Sequence, residues 1–180
     1  MSHFMTADHC ALLFIDWQER LFPAMAEGVR DTNLKHAVNL HWLARKRNVP
    51  VLFTEQYPKG LGRTLQALDS QAAFEKTSFS AMQDPNFAKA VSQMERKTLI
   101  LSGMETHICV AQTARDLRAA GYTVVVPADA VLSRRKLDWK MGLQRMVSVG
   151  CRLDSAEGIL FEWVGEAGTP TFKELSKRIR

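Results

Sequence analysis

The side chain best placed for chemistry in this sequence is Cys109, within the stretch LILSGMETHICVAQTARD at residues 99–116. Residues 99–102 are apolar or small and predict a short buried strand that ends at Gly103, and apolar residues from Val110 onward recur at helical spacing. Cys109 is therefore expected at or near the first turn of a helix that follows a strand. Unpaired N–H groups and the positive helix dipole at such a turn favour a thiolate, the usual state of a nucleophilic cysteine. A small buried core residue is the alternative interpretation of a lone cysteine.

Two further reactive side chains follow predicted strands. Asp16 lies near the end of the apolar run CALLFIDW, and Lys76 ends a short strand predicted at residues 73–76. In an open α/β sheet, ligands bind beyond the carboxyl ends of the strands. Taken singly, Asp16 is compatible with a turn cap and Lys76 with a surface charge. Together with Cys109 they would supply a base, a positive charge and a nucleophile at one edge of the sheet.

The elements that must position these side chains alternate between strands and helices. Continuous apolarity at residues 10–17 is typical of a strand covered on both faces in a parallel sheet. The other predicted strands are 51–54, 73–76, 99–102, 122–127 and 151–153, and the predicted helices are 31–47, 84–93, 136–149, 171–178 and the one beside Cys109. This order predicts one α/β domain over residues 1–180, with a mainly parallel sheet of about six strands and helices on both faces.

Capping residues, proline and glycine indicate where some of the predicted helices and loops begin. Asp84 is expected to cap a helix whose first residue is Pro85, and Thr171 with Glu174 fits a capping box. Residues 55–70 are polar and contain proline and glycine, which predicts a long loop after the second strand.

Length and composition restrict the class of protein. The 180 residues suffice for one sizeable core, and 46% of them are hydrophobic and 24% charged. No apolar run is long enough to span a bilayer, and the opening MSHFMTADHC does not resemble a secretory signal. The three cysteines, Cys10, Cys109 and Cys151, include no Cys-x-x-Cys pair, which argues against a disulfide framework or a zinc ribbon. We therefore expect a protein of the reducing cytoplasm without a membrane partner.

The net charge of +5 raises the question of an acidic partner. The basic residues form small groups at 45–47, 134–136 and 177–180, two of them near predicted helix ends where cations offset the dipole. Because no helix-turn-helix or aromatic RNA-binding signature accompanies them, the pattern favours solvated faces over a nucleic-acid surface. A small-molecule substrate and no nucleic-acid partner are expected.

The segments around the three reactive residues resemble the isochorismatase-like cysteine hydrolases. The matching segments are LLFIDWQ with Asp16, FEKTSFS with Lys76 and SGMETHICVAQTARDL with Cys109. Further similarity in TEQYPKGLG, ADAVLSR and SAEGILFEWVG points to the branch of isochorismatase-domain-containing proteins. The resemblance implies a three-layer α/β/α, Rossmann-like fold, a catalytic triad of Asp16, Lys76 and Cys109, and a homo-oligomer that is a dimer or larger.

The resemblance also implies a cis peptide bond between Met104 and Glu105. The backbone N–H groups of Glu105 and Cys109 would then form an oxyanion hole. The implied reaction is hydrolysis of a small amide-like molecule through a covalent acyl-enzyme on Cys109. Two alternatives stay open: a non-catalytic interaction or scaffold protein on the same fold, and a vinyl-ether hydrolase of the isochorismatase type.

No metal or cofactor is expected. Nicotinamidases of this superfamily carry a metal site with two histidines after the second strand, where this chain has Glu55-Gln56-Tyr57 and no histidine until His107. The other histidines, His3, His9, His36 and His41, are scattered. Gln18, Phe22 and Tyr57 lie in loops that should border the site, and Thr106 and His107 flank the expected oxyanion hole, so these five residues are candidate substrate contacts. For Phe22 and Tyr57, packing against the core is an equally good interpretation.

Overall fold

The computed structural model describes residues 5–180, and within them seven strands form one sheet in which every strand pairing is parallel. The strands are β1 (Cys10–Ile15), β2 (Val51–Gln56), β3 (Phe74–Lys76), β4 (Thr98–Met104), β5 (Thr123–Pro127), β6 (Val131–Leu132) and β7 (Arg152–Asp154). Their order in the sheet is β3-β2-β1-β4-β5-β7, and β6 pairs with the end of β4, beyond the residues that pair with β5.

Helices cover both faces of this sheet, which confirms the three-layer α/β/α architecture. The helices are α1 (Glu27–Lys46), α2 (Pro58–Leu61), α3 (Pro85–Gln93), α4 (Ala111–Ala119), α5 (Lys136–Ser148), α6 (Ala156–Val164) and α7 (Pro170–Arg178). Helices α1, α6 and α7 pack against one face, and α3, α4 and α5 pack against the other. No helix within residues 5–180 has the length and apolarity needed to cross a bilayer.

Strand β1 lies at the centre of the sheet because both of its faces are apolar. Leu12 and Phe14 belong to the core under α1, whereas Leu13 and Ile15 belong to the core under α4, and all four are fully buried. Burying each such side chain contributes about 1.5–3 kcal/mol. The strand is thereby fixed between β2 and β4, and the residue that follows it, Asp16, is held at the carboxyl edge.

The two predicted helix caps have different outcomes. The Asp84 carboxylate accepts a hydrogen bond from Phe87 N at 2.8 Å, as predicted for the start of α3. The capping box at Thr171 is wrong, because Pro170 takes the first helical position and Thr169 caps the helix. Glu174 instead binds Trp42 Nε1 and Lys46 Nζ, which attaches α7 to α1.

Two other local predictions also need correction. Residues 55–70 are not one long loop, since they include the end of β2, the short helix α2 and a turn at Gln66–Leu68. Strand β4 does not end at Gly103 but continues to Met104. Gly103 is needed there because a Cβ would lie 2.2 Å from the carbonyl oxygen of Ile15 in β1. The two-residue strand β6 was not recognised in the sequence, which is why the sheet has seven strands rather than about six.

Helix α5 packs closely on the turn that carries Cys109. This turn is π-helical, spans Thr106–Val110, and links β4 to α4. A Cβ at Gly142 of α5 would lie 2.8 Å from both the Cα and the N of His107. Because those atoms belong to the backbone, a larger side chain would force the helix and the turn apart.

We expect Gly142→Ala to lower the free energy of unfolding by about 1–3 kcal/mol, the usual effect of overpacking. Urea unfolding followed by circular dichroism measures this change. Gly28→Ala is the matched control, since nothing lies within 4 Å of a Cβ at that helical position. It should be neutral or stabilising by up to about 1 kcal/mol. An unchanged unfolding midpoint for Gly142→Ala would contradict the close packing described here.

Candidate active site

The carboxyl ends of three adjacent strands bring a buried ion pair together. Lys76 Nζ, at the end of β3, donates to Asp16 Oδ2 at 2.8 Å, and Thr54 Oγ1, in β2 between them, donates to Asp16 Oδ1 at 2.7 Å. The Lys76 and Asp16 side chains are 1% and 0% exposed. Asp16 has a left-handed backbone conformation with φ of 54°, uncommon for a residue with a Cβ, and the chain turns there directly after β1.

The ammonium group of Lys76 has several oxygen acceptors besides Asp16. Its Nζ lies 2.7 Å from Gln56 Oε1, and 3.2 and 3.3 Å from the carbonyl oxygens of Ser78 and Phe79. A buried charge is tolerated only when it is paired and its protons are accepted. Lys76 meets both conditions, so it is held rigidly beside Asp16.

Cys109 lies next to this pair, in the π-helical turn rather than in the first turn of α4. Ile108 N and Val110 N both donate to the carbonyl oxygen of Glu105, at 3.0 and 3.3 Å. The second of these bonds spans five residues and widens the turn. The Cys109 thiol comes within hydrogen-bonding reach of the Asp16 carboxylate, and the residue is 6% exposed. The structure thus brings Asp16, Lys76 and Cys109 together, although they are far apart in sequence.

The sequence-based prediction of a resting thiolate is wrong. Burial raises the pKa of the Cys109 thiol to about 12, and the negative charge of Asp16 raises it further than Lys76 lowers it. The thiol is therefore protonated at neutral pH. The prediction failed because it weighed the start of the helix without the burial and without the neighbouring carboxylate.

The backbone N–H of Glu105 is a buried donor in the expected oxyanion region. The peptide bond between Met104 and Glu105 is cis. Within residues 5–180, the backbone N–H of Glu105 donates to no backbone carbonyl, although the residue is only 5% exposed. Buried backbone N–H groups without a protein partner are rare, and at an active site they are positioned to bind a ligand oxygen.

Three of the candidate substrate contacts have their polar atoms engaged by the chain itself. Gln18 is fully buried, its Nε2 donates to the carbonyls of Gln56 and Gly62, and its Oε1 accepts from Gln56 N. These bonds hold the loop after β2. Thr106 Oγ1 donates to the carbonyl of Leu132. His107 Nδ1 lies 3.0 Å from Ser133 Oγ.

The two aromatic candidates differ in exposure. The ring of Phe22 is half-buried and lies 6.2 Å from that of Trp17. Tyr57 is 56% exposed and lines a cavity of about 510 Å³ together with Lys76. The other residues lining the cavity are Pro58, Lys59, Glu75, Thr77, Ser78, Gln83 and Asp84.

Several residues of the site were missed in the sequence. Thr54 and Gln56 orient the ion pair, and the Glu105 side chain binds Arg134. The order of strands in the sheet, which brings β2 between β1 and β3, would have indicated Thr54 and Gln56. No group of three or more histidine, cysteine, aspartate or glutamate residues suited to a metal occurs within residues 5–180, and His3 lies outside these residues.

The fold and the site together define the class of this protein. It is an α/β protein with a parallel sheet that carries a cysteine, an aspartate and a lysine at its carboxyl edge. The chain belongs to the isochorismatase family, because the model of the isochorismatase domain matches residues 10–157. It is 40% identical over 141 residues to isochorismatase domain-containing protein 1 of Salmo salar, which confirms the branch. That match covers 76% of this chain and 50% of the relative, so the chain spans about half of that relative's length.

Solved structures support the same fold. The MAR1 ribonuclease of Caenorhabditis elegans superposes with a TM-score of 0.87 at 33% identity, over 97% of this chain and 91% of that chain. The YcaC gene product of Escherichia coli, described as an octameric hydrolase of unknown specificity, gives a TM-score of 0.88 at 22% identity. That second match covers 96% of this chain and 89% of the other, and shows the fold alone.

We expect Asp16→Asn to make Cys109 more reactive toward iodoacetamide. Alkylation requires the thiolate, and the substitution removes the carboxylate that raises the Cys109 pKa while Lys76, which lowers it, stays. A fall of one pKa unit raises the labelling rate about tenfold below pH 9. Mass spectrometry of labelled peptides between pH 7 and pH 10 measures the rates.

Cys151 serves as an internal control in the same digest, because burial raises its pKa to about 11 with no contribution from Asp16. In the unsubstituted protein, Cys109 labelling should rise with pH across the whole range without a plateau. A plateau near neutral pH, or slower labelling in Asp16→Asn, would contradict the protonated thiol.

Proposed function

We propose that this protein is a cysteine hydrolase that cleaves a small amide-like substrate through a covalent acyl-enzyme on Cys109, without a metal. The observation that carries the proposal is the buried Asp16–Lys76 pair with the Cys109 thiol beside the same carboxylate. The backbone N–H of Glu105 supports it, as a donor for a developing oxyanion.

In the first half of the proposed reaction, the Cys109 sulfur attacks the carbonyl carbon while its proton moves to Asp16. The negative charge on the carbonyl oxygen is stabilised by the backbone N–H groups of Glu105 and Cys109, a contribution of about 3–4 kcal/mol for a well-placed donor. The C–N bond then breaks, and Asp16 returns the proton to the leaving amine. A thioester remains on Cys109.

In the second half, water attacks the thioester carbon and gives a proton to Asp16. The C–S bond breaks, the acid leaves, and the sulfur recovers its proton from Asp16. Lys76 keeps Asp16 oriented throughout, and its positive charge stabilises the negative charge that develops on the sulfur. Because the resting thiol is neutral, proton transfer and carbon–sulfur bond formation must be coupled. The rate of the proposed attack therefore depends on the position of Asp16.

The alternatives are less well supported by the site. A buried ion pair adds little net stability compared with apolar residues of the same volume, so a non-catalytic scaffold has no need of Asp16 and Lys76. Vinyl-ether hydrolysis of the isochorismatase type makes no use of a thiol held on a carboxylate. The relative from Caenorhabditis elegans is described as a ribonuclease. In this chain, however, Lys76 is buried against four oxygen acceptors and is not available to a phosphate.

Two further features belong to the proposal. The octameric state in the description of YcaC supports a homo-oligomer, a dimer or larger, for this chain as well. The three free cysteines, Cys10, Cys109 and Cys151, fit a reducing compartment such as the cytoplasm.

A screen of small primary and secondary amides, with RNA and a vinyl ether as contrasting substrates, tests the function. We expect amine release together with an acyl adduct on Cys109, detected by intact-mass spectrometry after rapid acid quenching. Cys109→Ala should lower turnover by about a thousandfold or more, and Asp16→Asn should do the same because the base is lost.

Cys151→Ala is the matched control, since this buried cysteine lies between α5 and β7, outside the cluster, and should retain turnover. Amide turnover that survives Cys109→Ala would exclude covalent catalysis by this residue. RNA or vinyl-ether cleavage without any amide turnover would replace the proposal with one of the alternatives.

A further inference from the structure

The side chains of residues 105–107, at the start of the turn beside Cys109, are bound to residues 132–134, which begin with the last residue of β6. Glu105 binds Arg134, Thr106 Oγ1 donates to the carbonyl of Leu132 at 2.8 Å, and His107 Nδ1 lies 3.0 Å from Ser133 Oγ. We call residues 132–134 the strap. The strap is attached to the start of the turn by these contacts.

The bond between Glu105 and Arg134 is the strongest of these contacts by type. The Glu105 carboxylate accepts from both the backbone N and the Nε of Arg134, at 3.0 and 3.1 Å. The Glu105 side chain is 6% exposed, whereas that of Arg134 is 58% exposed. Charge-assisted hydrogen bonds of this kind are about twice as strong as neutral ones and are directional.

Glu105 is also bound to the turn itself, through its backbone carbonyl oxygen. The carbonyl oxygen of Glu105 accepts from Ile108 N and Val110 N, and its carboxylate is engaged by the strap. The acceptor groups of Glu105 are therefore committed within the protein, while its backbone N–H donates to no backbone carbonyl within residues 5–180. Because these bonds hold the rest of Glu105 in place, they also fix the direction of its backbone N–H.

From this geometry we infer that the Glu105 carboxylate and Arg134 are a positioning pair for the oxyanion donor. The pair does not touch the reacting atoms. It sets the direction of the Glu105 N–H, and a misplacement of about 1 Å at such a group costs up to about a hundredfold in rate. This inference rests on the proposed function, because an oxyanion donor matters only if a carbonyl carbon is attacked.

Two reagents separate the positioning role from general damage. p-Nitrophenyl acetate acylates a thiol through a tetrahedral oxyanion, so that the acetyl carbon bonds to sulfur, p-nitrophenolate leaves and the thiol proton passes to Asp16. Iodoacetamide alkylates the same sulfur by direct displacement of iodide and forms no oxyanion. The ratio of the two rates at Cys109 therefore reports the oxyanion donor, whereas a changed thiol pKa or local unfolding alters both rates together.

We expect Glu105→Gln and Arg134→Ala each to lower the ratio of acylation to alkylation by about tenfold. The double variant should lose little more than either single one, because both substitutions remove the same charge-assisted contact between the Arg134 guanidinium and the Glu105 carboxylate. The rates come from p-nitrophenolate absorbance and from peptide mass spectrometry, on full-length protein. Arg134→Ala changes an exposed side chain and should fold normally, which protects the test if Glu105→Gln is unstable.

Arg135→Ala is the control, since it removes a neighbouring exposed cation of the same type outside the Glu105 contact. It should leave the ratio unchanged. An unchanged ratio in Arg134→Ala and Glu105→Gln, with the unsubstituted protein acylated at Cys109, would overturn the positioning role alone. Absence of acylation in the unsubstituted protein, with alkylation intact, would overturn the proposed function and this inference together.

Discussion

The buried ion pair between Asp16 and Lys76 is the interaction on which the rest of the site depends. It joins the ends of β1 and β3 across β2, and Thr54 in β2 completes the contact. Removing one partner of such a pair leaves an uncompensated buried charge, which costs about 3–5 kcal/mol. The ion pair therefore favours the arrangement of the sheet edge in which the carboxylate lies beside Cys109. The same atoms contribute to the stability of the fold and to the proposed chemistry.

The protonated state of Cys109 changes how the cluster should be understood. A thiolate would need only a substrate, whereas a buried thiol needs a base in contact with it at the moment of attack. Asp16 is the base beside the thiol, and the bonds from Lys76 and Thr54 fix the position of its carboxylate. The carboxylate raises the pKa of the thiol in the resting protein and accepts its proton during the proposed reaction. The negative charge of Asp16 thus keeps the thiol protonated at rest and makes Asp16 the base in the proposed reaction.

Much of the architecture was readable from local patterns, because they depend on short-range chemistry. The continuous apolarity of residues 10–17 predicted the central strand, Asp84 and Pro85 predicted the start of α3, and the ends of the predicted strands indicated the reactive residues. The parts that were missed depend on contacts between distant segments. Strand β6, the bonds from Glu105 to Arg134 and the protonation of Cys109 all follow from the order of strands and from burial, neither of which is local.

The raised pKa of Cys109 also bears on how the protein withstands oxidants. Hydrogen peroxide reacts with thiolates and scarcely with thiols, and the first product, a sulfenic acid, can proceed to irreversible sulfinic and sulfonic acids. A sulfur that is protonated, 6% exposed and beside a carboxylate is expected to react slowly with peroxide. The burial that keeps the proposed nucleophile protonated would thus also protect it from oxidation.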